Sequence, residues 1–437
     1  MSSEPFRWHP VRSLGEARLI SPLTERFGDV GFVDDDARVM AFHDPACLGT
    51  EEAVVFPAAG PRKHLFHDPS RTVAAIVNCG GLCPGLNNVI RSATLELHHN
   101  YGVRRVLGVR YGYEGLNAAV GHEPLELTPE RVDHIHEQGG TILGSSRGPQ
   151  EPSVMARTLA DWGVNVLIVI GGDGTQRGAQ ALGEACAAAG MRLSVIGVPK
   201  TIDNDVAYCD RSFGFTTAVH AAAEAINAAH EEARGAFNGV GLVKLMGRDA
   251  GFIAAGATLA SQEVNFCLVP ENRFSLEGDR GLLALLHARL TARRHAVIAV
   301  AEGAGQDLCA ATGDADASGN RRYADIGHLL RERIEAYFKQ RQTPLTLKYI
   351  DPSYIIRSIP AETEDAVLCD QYARQAVHAA MAGHTEAVVC FCRGAFALVP
   401  STLVTSHKRQ MPLHGVLWRG VLASTGQPAV IGEPVKT

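Results

Sequence analysis

Long apolar runs are missing from these 437 residues. No stretch reaches the roughly 18 uninterrupted apolar residues of a membrane-spanning helix, and the N-terminal MSSEPFRWHPVRSLGEARL lacks the apolar segment of a secretory signal. A cytoplasmic location with no membrane partner is the expectation. Aromatic residues are sparse at 6%, and 41 Lys and Arg against 47 Asp and Glu leave a net charge of −6. Neither a base-stacking surface nor a global attraction for polyanions is built in, so no nucleic-acid partner is expected. An anionic substrate must be caught by local groups. The ten cysteines stand singly in apolar segments. Cys79 and Cys83 flank a Gly-Gly turn and Cys390 and Cys392 alternate in VVCFC, but neither pair has a second Cys/His pair at zinc spacing. Reduced, structural thiols follow. Also absent are GxGxxG and GxxxxGK[ST], so any phosphate site is of a design other than the dinucleotide fingerprint or the P-loop.

What is present is an ordinary globular balance, 46% apolar and 20% charged, on a chain longer than one hydrophobic core usually serves. Residues 1–72 read as an N-terminal extension of short mixed stretches with a few strands and no long helix. From Thr72 onward β-rich runs lead into glycine turns and then helical patterns: TVAAIVNC into GGLCPGLN, VNVLIVIGG into DGT, LSVIGVP into KTIDND. A second series begins near Phe215 with an Ala-rich helix, the strand GLVKL, NFCLVPE, a helix over Leu282–Arg293 and HAVIAVAEGAG. Near-continuous apolar strands alternating with amphipathic helices predict parallel sheets covered on both faces. The fold class expected is α/β, two Rossmann-like lobes with largely parallel sheets plus the N-terminal extension. Gln306–Arg321, rich in Gly, Asp and Ser, reads as a mobile surface loop.

Ligands in such sheets sit beyond the carboxyl ends of the strands, where the glycine turns fall. Gly171-Gly172-Asp173-Gly174-Thr175 lies between a strand and a helix; its glycines admit a phosphate, and the helix offers free N–H groups. Asp173 is acidic where an anion is expected, which makes sense with Mg²⁺ between them. Alone, the turn is equally readable as structural. Lys200-Thr201-Ile202-Asp203-Asn204-Asp205 places two carboxylates two residues apart; in an extended segment they point the same way, one as base and one to bind metal or orient. Gly80-Gly81 opens a third glycine turn, and Arg147-Gly148 sits in GSSRGP, where an arginine among small residues suits an anion. In the second series Met246-Gly247-Arg248 follows GLVKL, and Arg248 either clamps a phosphate or pairs with Asp249. Glu302 in VAEGAG suits a sugar hydroxyl, and Tyr354 and Arg357, three apart, share a face on a helical turn.

GGLCPGLN, GSSRGP, GGDGTQRGA, PKTIDND, FGFTTA, KLMGRDAGF, AEGAG and DPSYIIR, in that order over roughly Val73 to Gly394, resemble the phosphofructokinase family, closest to its long-chain ATP-dependent branch of plants and trypanosomatids. The resemblance implies a donor site of Gly80, Gly81, Arg147, Gly148, Gly172, Asp173, Gly174 and Thr175, with Asp173 on Mg²⁺. It implies Asp203 as the general base toward the 1-hydroxyl of fructose 6-phosphate, with Lys200, Thr201 and Asp205 beside it. Thr201, Ile202, Asp203, Met246, Gly247, Arg248, Glu302, Tyr354 and Arg357 would hold the sugar. The lobes implied are 73–215, completed by about 357–410, for ATP and 216–356 for fructose 6-phosphate, with 411–437 a C-terminal segment. A homodimer or homotetramer is implied.

Tyr354 departs from the short bacterial enzymes, which place histidine there. An arginine those enzymes borrow from a neighbouring subunit has no match near Asn238–Gly241, which leaves Lys200 as a candidate cation for the 6-phosphate. Gly174 leaves room for the α-phosphate of ATP, whereas an aspartate there, as many pyrophosphate-using relatives carry, repels it; Lys200 is the residue those relatives share. ATP is the expected donor and pyrophosphate the alternative. A catalytically idle sugar-phosphate sensor predicts loss of Asp173, Asp203 or Arg248, and all three are present. A lipid or NAD kinase predicts loss of PKTIDND and MGR, which are intact.

Overall fold

The computed structural model describes residues 6–28, 31–41, 53–309 and 323–432. The chain divides into two units, one of Met1–Gly214 with Ser358–Lys408, the other of Phe215–Arg357 with Arg409–Thr437. Both are α/β, and each is built on a sheet whose central strands are parallel. Among the described residues no helix is long and apolar enough to cross a membrane.

In the first unit the sheet runs, edge to edge, Ala395–Pro400, Ala387–Cys392, Ser194–Pro199, Val166–Gly171, Val73–Asn78, Arg105–Val109 and Leu125–Glu126. The five inner strands pair in parallel, and the two edge strands pair antiparallel. VLIVIG and SVIGVP are buried along their whole length, as continuous apolar runs in a two-faced sheet must be. Helices Leu86–Leu95, Pro152–Asp161, Asp173–Ala188 and Thr363–Met381 belong to this unit. The strand of this sheet that comes first in the chain, Val73–Asn78, has its successor Arg105–Val109 on one side and Val166–Gly171 on the other. The order of the sheet reverses between those two strands, which is where a parallel sheet opens a crevice for ligand.

The N-terminal residues join this unit by sheet pairing. Phe6–Trp8, Ala53–Pro57 and Arg38–Met40 form a small sheet of their own, and Arg12–Ser13 pairs with His384–Thr385. His67 reaches across to Ser194 at 3.0 Å.

In the second unit four strands, all parallel, run Phe266–Leu268, His295–Ala301, Gly239–Leu245 and Thr346–Ile350. Helices Phe215–Arg234, Phe252–Ser261, Leu282–Arg293, Ile326–Gln340 and Val416–Thr425 belong to it. Leu242, Leu286, Ile298, Ile334 and Phe338 centre its core. The C-terminal segment is tied in by two side chains, the half-buried Glu271 and the buried Gln427. Glu271 accepts the backbone N–H of Gly251 and of Met411, and Gln427 exchanges hydrogen bonds with both the N–H and the C=O of Cys267. The loop expected over Gln306–Arg321 falls largely on residues 310–322, outside the described residues.

Candidate functional site

Three turns meet at the carboxyl ends of three adjacent strands of the first unit. Register alone brings them together: Ile170 lies opposite Asn78, and Gly171 opposite Pro199. The chains that leave these positions are then stitched to one another. Cys79 N–H donates to the Ile170 carbonyl at 3.0 Å, and Lys200 N–H donates to the Gly171 carbonyl at 3.0 Å. Gly80, at φ 86°, takes a left-handed turn that a β-carbon disfavours, and its N–H donates to Ser146 O at 3.1 Å. Ser145 Oγ donates back to Gly80 O at 2.6 Å. The GSSRGP loop is thereby fastened to the GGLCPG turn, with Arg147 exposed and Gly148 left-handed at φ 109°.

The GGDGT turn feeds directly into the helix Asp173–Ala188, with Gly172 as the capping residue and Asp173 in the first turn. Its free N–H groups and positive dipole end favour an anion, and the Asp173 carboxylate is stabilised there as well. Asp173 is about one-fifth exposed, and Arg177 lies 3.6 Å from it one turn along. A β-carbon on Gly171 would collide with the Thr175 side chain at 2.3 Å, so that glycine is required by packing. Gly174 differs: a β-carbon there meets nothing within 4 Å. Thr175 is buried, its carbonyl accepting the Tyr113 hydroxyl at 2.6 Å. Lys200 is buried too, and its Nζ donates to Gly81 O at 2.6 Å, which sets the ammonium on the first glycine turn.

The PKTIDND segment corrects the expectation of an extended run with Asp203 and Asp205 pointing the same way. Asn204 sits at φ 54°, a left-handed conformation that asparagine tolerates better than most residues, and the chain turns there. Asn204 braces the turn from within, accepting Ser212 N–H at 2.9 Å and donating to Asp210 O at 3.1 Å, while Ser212 Oγ donates to Thr201 O at 2.7 Å. The two carboxylates consequently take different surroundings. Asp205 is buried, accepts the Thr201 hydroxyl at 3.0 Å and pairs with Lys408 at 2.9 Å. Asp203 is half-buried, and its N–H donates to Thr201 Oγ1 at 3.1 Å. Ile202 between them is buried.

The second unit presents a different set of groups at its own strand ends. Gly247, at φ 127°, carries the chain from Leu245 toward Arg248, and a β-carbon there would lie 2.8 Å from Ala250 O. Gly303 N–H donates to Gly247 O at 3.1 Å, and Glu302 N–H to Leu245 O at 2.8 Å. These bonds hold Met246, Gly247, Arg248 and Glu302 together. The Arg248 guanidinium stacks over Tyr323, 4.9 Å from the ring centroid. Burial pushes the Glu302 carboxyl above its ordinary value, and the charges of Arg248, Lys244 and Arg357 act against that rise. Tyr354 is 71% exposed, and Arg357 on the short helix Ile355–Ser358 stacks over its ring at 4.7 Å.

Two residues of these sites, Lys244 and Lys408, were missed by the sequence reading. Lys244 is the lone charge in the strand Gly239–Leu245 and pairs with Asp325 at 3.2 Å and Asp351 at 2.7 Å. Burial lowers its pKa, but hydrogen bonds to the two carboxylates outweigh that and raise it. A single lysine inside an apolar strand is a signal that could have found it. Lys408, in the polar stretch SHKRQM, lies 203 residues from Asp205 and offers no such signal.

Parallel strands ending in glycine turns, with carboxylates and a buried lysine in one unit and stacked arginines in the other, define an α/β protein equipped for phosphate-bearing ligands. The chain belongs to the phosphofructokinase family, whose sequence profile, described as Phosphofructokinase, matches residues 73–380. It is 49% identical over 441 residues to an ATP-dependent 6-phosphofructokinase of Amycolatopsis methanolica, covering 97% of this chain and 95% of the relative. To the ATP-dependent 6-phosphofructokinase of Trypanosoma cruzi it is 50% identical over 366 residues, 83% of this chain and 75% of the relative. Among solved structures, a pyrophosphate-dependent phosphofructokinase from Marinobacter aquaeolei superposes with a TM-score of 0.67 at 20% identity, covering 83% of this chain and 92% of that one. At that identity the likeness is one of fold.

Proposed function

We infer that this chain is an ATP-dependent 6-phosphofructokinase, transferring the γ-phosphoryl of ATP to the 1-hydroxyl of fructose 6-phosphate. The observation that carries the reading is the placement of the GGDGT and PKTIDND turns, both with their carboxylates, at the ends of the register-matched strands Val166–Gly171 and Ser194–Pro199. The long-chain relatives of Amycolatopsis and Trypanosoma, named for ATP, favour ATP over pyrophosphate. The open space at Gly174 supports the same choice, because the α-phosphate has room to lie there.

In this reading Asp203 takes the proton from the sugar hydroxyl as it attacks the γ-phosphorus. Its backbone is fixed by the Thr201 hydroxyl and its neighbour Asn204 by the Ser212 bonds, so the base is positioned before substrate arrives. Gly80, Gly81, Gly172, Gly174 and Thr175 bring backbone close to the donor phosphates, and Arg147 and Lys200 place positive charge beside them. The hold of Lys200 on Gly81 O supports a role toward the donor rather than toward the sugar 6-phosphate. Arg248, Glu302, Tyr354 and Arg357, with Met246 and Gly247, belong to the sugar. Phosphoryl transfer requires little covalent chemistry from protein; positioning and charge neutralisation supply most of the rate.

Mg²⁺ fits the residues present. Asp173 offers a hard carboxylate oxygen, partly exposed, at the end of a phosphate-binding turn, and no group of three or more potential ligands forms a cage among the described residues. One carboxylate completed by phosphate oxygens and water is the usual arrangement for this ion. When bound, Mg²⁺ supplies neutralisation of phosphate charge. A homo-oligomer working in the cytoplasm completes the proposal.

Phosphorylation of fructose 6-phosphate measured side by side with ATP and with pyrophosphate tests the reading. Turnover with ATP alone is expected. Turnover with pyrophosphate alone would reverse the donor, and none with either would sink the assignment.

A further inference from the structure

Lys408 lies beyond the span matched by the family profile, which ends at residue 380. Its position in the first unit is fixed by an isolated antiparallel bridge with Val206, inside the segment that follows PKTIDND. From there the ammonium reaches Asp205 Oδ2 at 2.9 Å. The Asp205 side chain is only 9% exposed, whereas that of Lys408 is 35% exposed. A carboxylate so buried is costly unless a cation and hydrogen bonds compensate it. Lys408 supplies the cation, and Thr201 the hydrogen bond at 3.0 Å. A hydroxyl has one proton; with that proton committed to Asp205, the Thr201 oxygen turns its lone pairs to the Asp203 N–H, 3.1 Å away.

We propose that Lys408 is a positioning residue for phosphoryl transfer, acting through Asp205 and Thr201 to hold the backbone of Asp203. The proposal rests on the reading of Asp203 as the base and gives Asp205 a structural duty in place of metal binding. Without the ammonium, Asp205 is left buried and uncompensated. It then swings toward water, and the Thr201 hydroxyl loses its fixed acceptor. Displacement of a reacting group by about 1 Å lowers a rate by about 100-fold.

The test compares Lys408→Met, Lys408→Gln, Lys408→Arg, Asp205→Asn and the Lys408→Met/Asp205→Asn double variant, with Asp203→Asn alongside and thermal unfolding as the check on folding. Lys408→Met and Lys408→Gln are expected to lose about 10- to 100-fold in kcat, with both substrate KM values within about twofold of wild type. Lys408→Arg should recover most of the loss. The double variant should be no slower than the slower single variant, because the two residues act as one unit. Folded Lys408→Met and Lys408→Gln with wild-type kcat would overturn the proposal, as would losses that multiply in the double variant. A wild-type rate for Asp203→Asn instead removes the base itself, an outcome separable from normal Lys408 variants beside a slow Asp203→Asn.

Discussion

Both units end a parallel sheet in short turns, yet the turns carry opposite chemistry. In the first unit they hold Asp173, Asp203 and Asp205 among glycines, with Lys200 buried on a backbone carbonyl. In the second they hold Arg248 and Arg357, each stacked over a tyrosine, around a Glu302 whose carboxyl burial pushes up. In the proposed function, a donor that brings several phosphates and its own metal would be met by backbone N–H groups and by carboxylates. A sugar phosphate, with one anionic group and several hydroxyls, would be met by guanidinium forks and a hydrogen-bond acceptor. The same strand-end architecture is thus tuned by which side chains follow the glycine.

The contrast breaks most severely at Asp203. Asp203→Asn keeps the shape of the turn and removes the base, so kcat should fall by about 100- to 10,000-fold while fructose 6-phosphate still binds, as isothermal titration would register. A near-normal rate would remove Asp203 from catalysis. Next in size is Gly174→Asp. The new β-carbon meets open space, so folding should be intact by thermal unfolding, but a carboxylate now faces the donor. The kcat/KM for ATP should drop by about 100-fold or more, while KM for the sugar changes little; unchanged use of ATP would refute the account of that turn. A smaller effect is expected at Arg248, half-buried and stacked on Tyr323. Arg248→Ala removes charge-assisted hydrogen bonds of about 1.5–3 kcal/mol, which is about 10- to 150-fold in KM for fructose 6-phosphate, with KM for ATP held. If the ATP constant moved instead, the division of labour between the units would be wrong.

The strands and glycine turns were legible because a two-faced parallel sheet demands unbroken apolar runs, and VLIVIG and SVIGVP show them. The order of the motifs then located the strand ends. The path of the PKTIDND segment was not legible. Alternating carboxylates suggest an extended strand, and the left-handed turn at Asn204 depends on Ser212, eight residues on, whose role no local pattern signals. Lys408 was hidden for the same reason at longer range. The N-terminal strands are two to five residues long and gain their order from partners such as His384–Thr385, so their own sequences say little.

A last contrast lies away from the turns, at the other edge of polarity. The second unit's Glu302 has its pKa raised by burial, whereas the first unit buries histidines that burial holds neutral. His67 is the simplest of them: burial lowers it to about 4, and its Nε2 lies 3.0 Å from Ser194 Oγ. Ser194 spends its one proton on Ala380 O, so His67 must donate to it from Nε2. His378 and His384 are likewise lowered, to about 3 and about 4, by burial first and then by the charges of arginines nearby. The folded state therefore binds fewer protons than the unfolded chain between pH 6.5 and about 4. Stability is complete above pH 6.5 and is lost as pH falls through that window, by up to about 1.4 kcal/mol per pH unit for each histidine. His67→Gln keeps a donor for Ser194 but does not titrate. Denaturant midpoints at pH 7, 6, 5 and 4.5 should fall less steeply for His67→Gln than for wild type, by close to one proton's worth of slope. Parallel curves would mean that His67 does not stay neutral in the folded protein.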